Sequence, residues 1–589
     1  MIKRFLKFDY NLLGAIVIAL LFFIGASSYN FLTQRNELVK WNSPDETANY
    51  FFTKLYATSH ELAIFEPANV IAIDLVVPRS IRSDNGWLKP VSFLGIILIY
   101  GSIASLTSIA VIPYLTPFFG ALGIIIFYLL LKRLFSRRIA LISAFLLATF
   151  PVYLYYSIRS MFHNVLFVVL GLAGFYFLAL ALDKNYSKFK RPGFLVWRLP
   201  NKLWLGWLFI FLAGVLFGLA VITRSSELLW LAPILALIIL FYLRRIGLLR
   251  LPLFLAGIML GLLPALYYNQ ILYASPLYGG YGEMNRSLSD ISAAGIQLVS
   301  QVTHQIPAYQ EIFDKVFKNI FFFGFHPGQS LEMFRYYVLD MFPWLAYLSA
   351  FGLLGLITLN FPKPRRKYLV YVLVWVGLSA ILILYYGSWR FSDNPNIGSH
   401  TIGNSYTRYW LPIYLMAMPL AAITIELVFK LFFFFLRKHS SYRTLVSGGV
   451  AIVIFLMAVN SLNFLVFGSE EGLINLYYNM QTDRAIGRLV LADTPNNAII
   501  MTQYHDKVFF PERKIMMGIA SEEPFYPQLS KLLKYYPVYY FNFSFTPAAV
   551  DYLNNGRLAK YDLRIDLVKR TSDKFSLYKI SKIIKTDVK

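Results

Sequence analysis

The sequence predicts an all-α polytopic membrane protein of about eleven transmembrane helices, followed by a small soluble α/β domain. Hydrophobic residues make up 57% of the 589 residues and charged residues only 15%. Apolar runs long enough to cross a bilayer recur between short polar breaks. Only helices and closed barrels satisfy every backbone polar group in lipid, and the alternation over about ten residues that barrel strands require does not dominate here.

The net charge of +24 does not indicate nucleic-acid binding, because the basic residues form short clusters between apolar runs, as topology signals do. The chain has no cysteine, which excludes disulfides and thiolate metal sites. Lys3, Arg4 and Lys7 precede the first apolar segment. They predict a cytoplasmic N-terminus. Further apolar segments follow the first one, and it shows no small-residue cleavage site, which predicts an uncleaved anchor.

The distribution of Lys and Arg decides how many times the chain crosses the membrane. If 91–112 only lies on the membrane or dips into it, the predicted inner segments hold 23 Lys and Arg, and the short outer breaks hold four. If that segment crossed, the bias would invert, against the positive-inside rule. The sequence therefore predicts spans at 12–32, 113–131, 139–157, 164–182, 204–222, 227–243, 251–272, 338–359, 369–387, 410–436 and 445–467.

The last span sets the predicted domain boundary. Residues 1–467 form the predicted transmembrane domain, with outer loops at 33–112 and 273–337, and residues 468–589 form the soluble domain outside the membrane. The tail holds 13 of the 31 acidic residues. Its segments AIIMTQY and VYYFNFS predict strands, and TDRAIGRLVLAD and PQLSKLLKYY predict helices.

Two adjacent acids, Asp45 and Glu46, follow the first span. Ser43 as N-cap, Pro44 at the first helical position and Glu46 closing a capping box predict a helix start. A helix that begins at the membrane face also fixes the direction of the Asp45 carboxylate. Asp45 is therefore a candidate general base as well as part of a helix start.

Few cations lie on the predicted outer side. Each of Arg159 and Arg224 either extends to lipid headgroups or has a function, and both interpretations stay open. Arg408 stands among aromatic residues in SYTRYWLP, which also suits an interfacial belt. Lys89 and Arg408, with Arg159 or Arg224 and a nearby carboxylate, would form an anion site beside a base. Group transfer from a phosphate-linked lipid requires such a pairing.

Six segments in order resemble the GT-C class of polytopic glycosyltransferases, in particular the protein O-mannosyltransferase and aminoarabinose lipid A transferase branch. They are SPDETANYF, KPVSFLG, YLLLKRLFSRRIALISAFLLATFPVYLYYSIRSM, GVLFGLAVITRSSELLWLAPIL, YYNQILYASPL and SYTRYWLPIYL, and they are spread along most of residues 1–430. The resemblance implies a GT-C-like fold and a polyprenyl-phosphate sugar donor. It also implies an active site on the extracytoplasmic face of the plasma or inner membrane.

The resemblance implies roles for single residues. Asp45 matches the proposed catalytic base and Glu46 a supporting acid, while Lys89 and Arg408 match donor-phosphate ligands. His163 stands where many relatives carry an acid. A lone histidine gives a divalent metal too little support, so no cofactor is predicted to be required. The candidate substrate- or phosphate-binding residues are Lys89, Arg159, His163, Arg224, Arg408 and Tyr409.

The predicted function is an inverting glycosyltransferase that moves a sugar from a polyprenyl-phosphate donor to a lipid, protein or glycan acceptor. Its partners are these substrates and membrane lipids. A transporter or flippase of lipid-linked sugars and a non-catalytic polyprenyl-phosphate-binding protein stay open. The sequence contains no paired half-repeats of the transporter kind. An oligosaccharyltransferase would be expected to carry a WWDYG-like motif, and none follows residue 468. The segment YGGYGEMNRS in loop 273–337 suits either a lid or an ordinary solvated loop.

Overall fold

The computed structural model describes residues 9–34, 40–183, 203–279, 318, 320–358, 366–391, 393, 399–468 and 470–583. The chain divides into two compact units, each built from separate stretches of sequence. The helical unit comprises Met1–Tyr29, Tyr114–Pro264 and Asp290–Ile474. The mixed unit comprises Asn30–Pro113, Ala265–Ser289 and Asn475–Lys589. The greater part of the predicted lid segment and of the inner segment 183–203 lies outside the described residues.

The described residues contain nine helices long and apolar enough to cross a membrane, and eleven such elements if each of two bent pairs counts as one span. Each predicted span corresponds to one of these elements, so the fold class is confirmed as that of a multi-pass membrane protein. The nine single helices are α1 (Tyr10–Gln34), α5 (Ile112–Leu134), α8 (His163–Ala181), α9 (Leu203–Thr223), α10 (Leu228–Ile246), α11 (Leu251–Tyr273), α14 (Arg366–Ser388), α16 (Leu411–Phe432) and α17 (Tyr442–Phe467).

The two bent pairs break where a proline begins the second helix. Helices α6 (Arg137–Thr149) and α7 (Pro151–Ile158) meet at 54°. Helix α12 (Pro327–Phe334), extended by one π-helical segment to Asp340, meets α13 (Pro343–Thr358) at 96°. Proline has no amide hydrogen and disfavours a helical residue before it, so both spans change direction there.

Helices α9 and α11 approach each other through glycine. Gly214 and Gly218 on α9 face Gly257 and Gly261 on α11, and a Cβ at any of the four would clash with a backbone oxygen of the other helix. Small residues four positions apart allow such backbone contact between membrane helices. This pair therefore packs in a way that larger side chains would prevent.

The helix in segment 91–112 is short for a membrane span. This helix, α4 (Leu94–Leu106), has 13 residues, which rise about 20 Å against a hydrocarbon core of about 30 Å. The prediction that this segment does not cross the membrane agrees with that length. Helix α4 packs with α2 (Pro44–Ser59) inside the mixed unit.

The mixed unit contains two sheets. The five-stranded sheet has the order β5-β4-β6-β8-β7, with β4 parallel to both neighbours and the other pairs antiparallel. The small sheet has the order β1-β3-β2 and is antiparallel. The strands are β1 (Ile64–Phe65), β2 (Ile81–Asp84), β3 (Trp87–Pro90), β4 (Ile499–Thr502), β5 (Lys514–Met517), β6 (Val538–Phe543), β7 (Leu563–Arg570) and β8 (Phe575–Lys582).

The predicted strands and helices of the tail are confirmed. AIIMTQY contains β4 and VYYFNFS contains β6. TDRAIGRLVLAD falls almost wholly in α18 (Leu473–Ala492) and PQLSKLLKYY begins in α20 (Tyr526–Leu532). The remaining short helices are α3 (Ala68–Ala72), α15 (Ser405–Tyr409), α19 (Asp506–Phe509) and α21 (Pro547–Tyr552).

The core of the tail is shared with the segment between α1 and α5. Ala68 and Ala72 on α3, and Val76 after it, are buried against residues of the five-stranded sheet such as Met501 and Tyr540. The tail therefore buries its sheet with the help of a segment that lies near the start of the chain. The predicted domain limits at 467 and 468 follow the membrane rather than these compact units, and they stay a prediction.

Candidate active site

Helix α2 begins as the sequence predicts. Ser43 is the N-cap in an extended conformation, and its hydroxyl accepts a hydrogen bond from the Asp45 amide at 3.3 Å. The Glu46 carboxylate accepts one from the Ser43 amide at 3.1 Å, which closes the capping box. Glu46 is 1% exposed. Its carboxylate therefore has a structural role at the helix start, and its predicted catalytic support stays a prediction.

The Asp45 carboxylate is partly exposed and held at one oxygen. Its Oδ1 accepts a hydrogen bond of 2.5 Å from the Ser80 hydroxyl. Within the part of the chain that the structure describes, no donor contacts Oδ2 of Asp45. Ser80 immediately precedes β2, so the carboxylate at the start of α2 is tied to the small sheet. A carboxylate held at one oxygen in this way suits a general base.

Lys89 lies on β3 of the same sheet. Its ammonium group donates to Asp84 Oδ2 at 2.9 Å and to the Leu272 carbonyl at 2.8 Å, so the protein uses two of its three N–H groups. The hydrogen bond from Lys89 lowers the pKa of the Asp84 carboxyl. After β3, the Ser92 hydroxyl donates to Asn49 of α2 at 2.6 Å. The small sheet therefore carries Lys89, and the residue Ser92 that follows it contacts α2, the helix that contains Asp45.

In the helical unit, Arg159 and Arg408 share one aromatic ring. Their guanidinium carbons lie 4.8 and 4.7 Å from the centroid of Phe162. Since both distances refer to one point, the two guanidinium carbons lie at most about 9.5 Å apart. Arg159 also donates to the Tyr155 hydroxyl at 3.1 Å. The quadrupole of the ring attracts both cations and offsets part of their repulsion.

A second ring joins Arg224 to Arg408. The guanidinium carbons lie 4.4 Å (Arg224) and 5.1 Å (Arg408) from the centroid of Tyr409, so the same upper limit of about 9.5 Å applies to this pair. Arg224 is buried and donates from Nε to Glu227 at 3.0 Å. The Tyr386 hydroxyl donates to the same Glu227 oxygen at 2.7 Å, and the Trp230 indole donates to the other oxygen. Arg159, Arg224 and Arg408 thus form one arginine cluster.

Backbone contacts fix the position of Arg408. Asn164 donates to the Arg408 carbonyl at 3.2 Å, and Arg408 donates from Nη2 to the Ser405 hydroxyl at 2.7 Å. The Tyr156 hydroxyl donates to the Gly403 carbonyl at 3.0 Å, just before α15.

His163 is the first residue of α8 and is 6% exposed. The described residues contain no group of three or more His, Asp or Glu that could hold a metal ion.

Three contributors to the arginine cluster are absent from the set of residues predicted by sequence: Phe162, Glu227 and Tyr386. Glu227 had a usable signal, because an acid three residues after Arg224 in an apolar segment is expected to pair with it. Phe162 and Tyr386 had no signal in the sequence that could identify them, since aromatic residues are frequent throughout this chain.

Asp45 and Lys89 belong to the mixed unit and the arginine cluster to the helical unit. The predicted convergence of the two groups stays a prediction.

A scan against protein-family models gives no match, and a search of curated proteins by sequence also gives none. Solved structures do match. The oligosaccharyltransferase AglB of Archaeoglobus fulgidus, tethered to an acceptor peptide with the NVT sequon, matches with a TM-score of 0.54 and 14% identity. The match covers 94% of this chain and 70% of that one. The same protein with an inhibitory peptide and a dolichol-phosphate matches with a TM-score of 0.50 and 14% identity, covering 94% and 71%.

ArnT from Cupriavidus metallidurans, bound to undecaprenyl phosphate, matches with a TM-score of 0.50 and 13% identity. The match covers 95% of this chain and 97% of that one. Both neighbours are GT-C glycosyltransferases, and ArnT is an aminoarabinose lipid A transferase. Identities this low carry the fold and no residue assignments. The chain has the GT-C fold that its sequence resemblance predicts.

Proposed function

We propose that the chain is an inverting glycosyltransferase that uses a polyprenyl-phosphate-linked sugar on the outer face of a membrane. The arginine cluster is the observation that carries this proposal. Three guanidinium groups stand around two aromatic rings, and Glu227 is the carboxylate that pairs with one of them. The fold supports the proposal as well, because the AglB and ArnT structures with this fold contain dolichol-phosphate and undecaprenyl phosphate.

A phosphate group suits the charge of this cluster. The cluster brings three guanidinium groups together with the Glu227 carboxylate. Guanidinium groups bind phosphate oxygens in a planar, bidentate manner. The cluster therefore suits a lipid phosphate. Of the two alternatives that the sequence leaves open for Arg159 and Arg224, this proposal takes ligand binding rather than headgroup contact.

The reaction is a single displacement at the anomeric carbon. The acceptor hydroxyl or amine loses its proton to Asp45 as its lone pair forms the new bond to that carbon. The bond from the anomeric carbon to the phosphate oxygen breaks, and its electron pair leaves with polyprenyl phosphate. Cationic groups stabilise the negative charge that grows on the leaving phosphate, and we propose the arginine cluster for this role. Attack from the face opposite the leaving group inverts the anomeric configuration.

The neighbours suggest two classes of acceptor. AglB has been solved with acceptor peptide, and ArnT is a lipid A transferase. The chain covers 97% of ArnT and 70% of AglB, so it fits the shorter enzyme more fully. We therefore propose transfer of a single hexosyl or pentosyl unit, with a lipid, protein or glycan as acceptor, over transfer of a preassembled glycan to asparagine.

Comparison of cells with and without the protein tests this proposal. Mass spectrometry of surface lipids and glycoproteins is expected to find one product lighter by a single sugar when the protein is absent. Complementation with Arg408→Met is expected to leave that product missing. An unchanged set of lipids and glycoproteins would contradict transfer. If lipid-linked sugar instead accumulated on the inner leaflet, a flippase would be the better account.

A further inference from the structure

We propose that Asp506, in the C-terminal tail, positions the Asp45 carboxylate through Arg79 and Ser80. The inference rests on the proposed function, because it assumes that Asp45 is the base. It goes beyond that function by giving the tail a part in the reaction. All four residues lie in the mixed unit.

The Asp506 carboxylate accepts hydrogen bonds from both the main chain and the side chain of Arg79. Its Oδ2 accepts the Arg79 amide at 3.0 Å, and its Oδ1 accepts Arg79 Nε at 3.0 Å and Nη2 at 2.5 Å. The Tyr504 carbonyl accepts a further bond from Nη2 at 2.8 Å. The Asp506 side chain is 1% exposed. A buried carboxylate with both oxygens engaged fixes the backbone of its partner as well as its charge.

The next residue connects this contact to Asp45. Ser80 has a φ of +61°, in the left-handed region that is unfavourable for a residue with a Cβ. Such a conformation persists when the surrounding structure holds it. On one side Arg79 is fixed by Asp506, and on the other side Ile81 begins β2 and pairs with Pro90. The Ser80 hydroxyl is thereby aimed at Asp45 Oδ1, at 2.5 Å.

The same short helix also holds the chain before α2. Lys507, the neighbour of Asp506 on α19, donates to the Asn42 carbonyl at 2.7 Å. Lys40 donates to the Phe510 carbonyl at 2.8 Å, just after α19. Two segments near Asp45 are therefore held by α19 and the residue after it. One is the chain that precedes α2, and the other is Arg79 and Ser80. A displacement of α19 would move the Asp45 carboxylate relative to its donor.

The test compares Ser80→Gly, Asp506→Asn and Asp45→Asn with the wild-type full-length protein, in kcat, donor KM and Tm. Ser80→Gly removes the hydroxyl but permits the left-handed conformation. It is expected to keep or raise Tm and to lower kcat about tenfold or more, because small errors of position at a reacting group are costly. The donor KM stays unchanged, because no phosphate ligand is altered. Asp506→Asn is expected to lower kcat in the same way.

Asp566→Asn is the matched control, because it removes an exposed Arg–Asp pair with Arg564 in the same tail. It is expected to have wild-type kcat. If Ser80→Gly retains wild-type kcat while Asp45→Asn is inactive, the positioning inference is overturned and the function stands. If Asp45→Asn itself turns over normally, the proposed function fails. Wild-type kcat in a folded Asp506→Asn variant would overturn the inference as well. Should Asp506→Asn not fold, Ser80→Gly still tests the Ser80–Asp45 hydrogen bond on which the inference depends.

Discussion

Arg159 and Arg408, far apart in the sequence, place their guanidinium groups on a single ring, that of Phe162, at 4.8 and 4.7 Å from its centroid. The negative face of an aromatic ring attracts cations, so both guanidinium groups are drawn to this ring. Glu227 does neutralise Arg224 in part, through an ion pair of 3.0 Å. Rings and a carboxylate therefore order the cluster, and its guanidinium groups suit an anionic ligand.

Phe162→Leu is expected to weaken binding of polyprenyl phosphate about tenfold. A cation–π contact contributes about 0.5 to about 2 kcal/mol, depending on how far it is removed from water. The substitution removes two such contacts, those with Arg159 and Arg408. The measurement is the Kd for undecaprenyl phosphate in detergent. Phe162→Tyr is the control, since it keeps the ring and is expected to bind as the wild type does. Equal affinity of the leucine and tyrosine variants would contradict the role of the ring.

Glu227→Gln is expected to lower the stability of the protein by roughly 3–5 kcal/mol, because removing one partner of a buried ion pair leaves the other charge without its compensation. The side chains of Arg224 and Glu227 are only 8% and 3% exposed. The measurement is the Tm of the detergent-solubilised protein. Undecaprenyl phosphate is expected to restore part of the lost Tm, because its anion takes over the compensation. A Tm equal to that of the wild type would show that Glu227 does not support the cluster.

Asp84→Asn is expected to strengthen donor binding by up to about fivefold. The hydrogen bond from Lys89 lowers the pKa of Asp84, so the pair is intact throughout the neutral range. Partly exposed pairs are worth up to about 1 kcal/mol, and Asp84 competes for Lys89 with any phosphate. The measurement is the donor KM, with Lys89→Met as the opposite variant. An unchanged KM in both variants would remove Lys89 from the phosphate site.

The tail is expected to lose stability as the pH falls from about 6.5 to about 4, because of His505. Burial, with smaller effects of Lys507 and Arg79, lowers the pKa of this imidazole to about 4. In the unfolded chain the group binds its proton near pH 6.5. The contribution of His505 to the free energy of unfolding is complete above that pH. It decreases below that pH, and the total loss is on the order of 3 kcal/mol.

The measurement is Tm between pH 7.5 and 4.5 for the wild type and for His505→Gln, which has no imidazole to protonate. The wild type is expected to lose more Tm than the variant over this range. The difference isolates His505 from the other groups that titrate there. Parallel curves for the two proteins would refute the prediction.

The spans could be predicted because apolar length and flanking charge are local properties of the sequence. The exclusion of 91–112 followed from charge, and its short helix α4 agrees. The bends before Pro151 and Pro343 also have a local cause. The shared core of the tail has no local cause in the sequence. Ala68, Ala72 and Val76 look like part of any short apolar segment, and only the fold shows that they pack against the distant sheet.

The site was partly predictable for a similar reason. Charged residues beside apolar spans are conspicuous, so Arg159, Arg224 and Arg408 could be identified, and the structure brings the three together. The link from Asp45 through Ser80 to Asp506 joins residues near opposite ends of the chain by hydrogen bonds. No periodicity or motif in the sequence indicates such a connection.

The most direct test of the central claim is a single-turnover assay of Asp45→Asn with a radiolabelled sugar on its polyprenyl phosphate, extracted from the host membrane. Bound donor and transferred sugar are counted in the same sample. We expect the variant to bind the donor as tightly as the wild type and to transfer none of its sugar. Transfer at the wild-type rate by Asp45→Asn would show that this carboxylate is not the base.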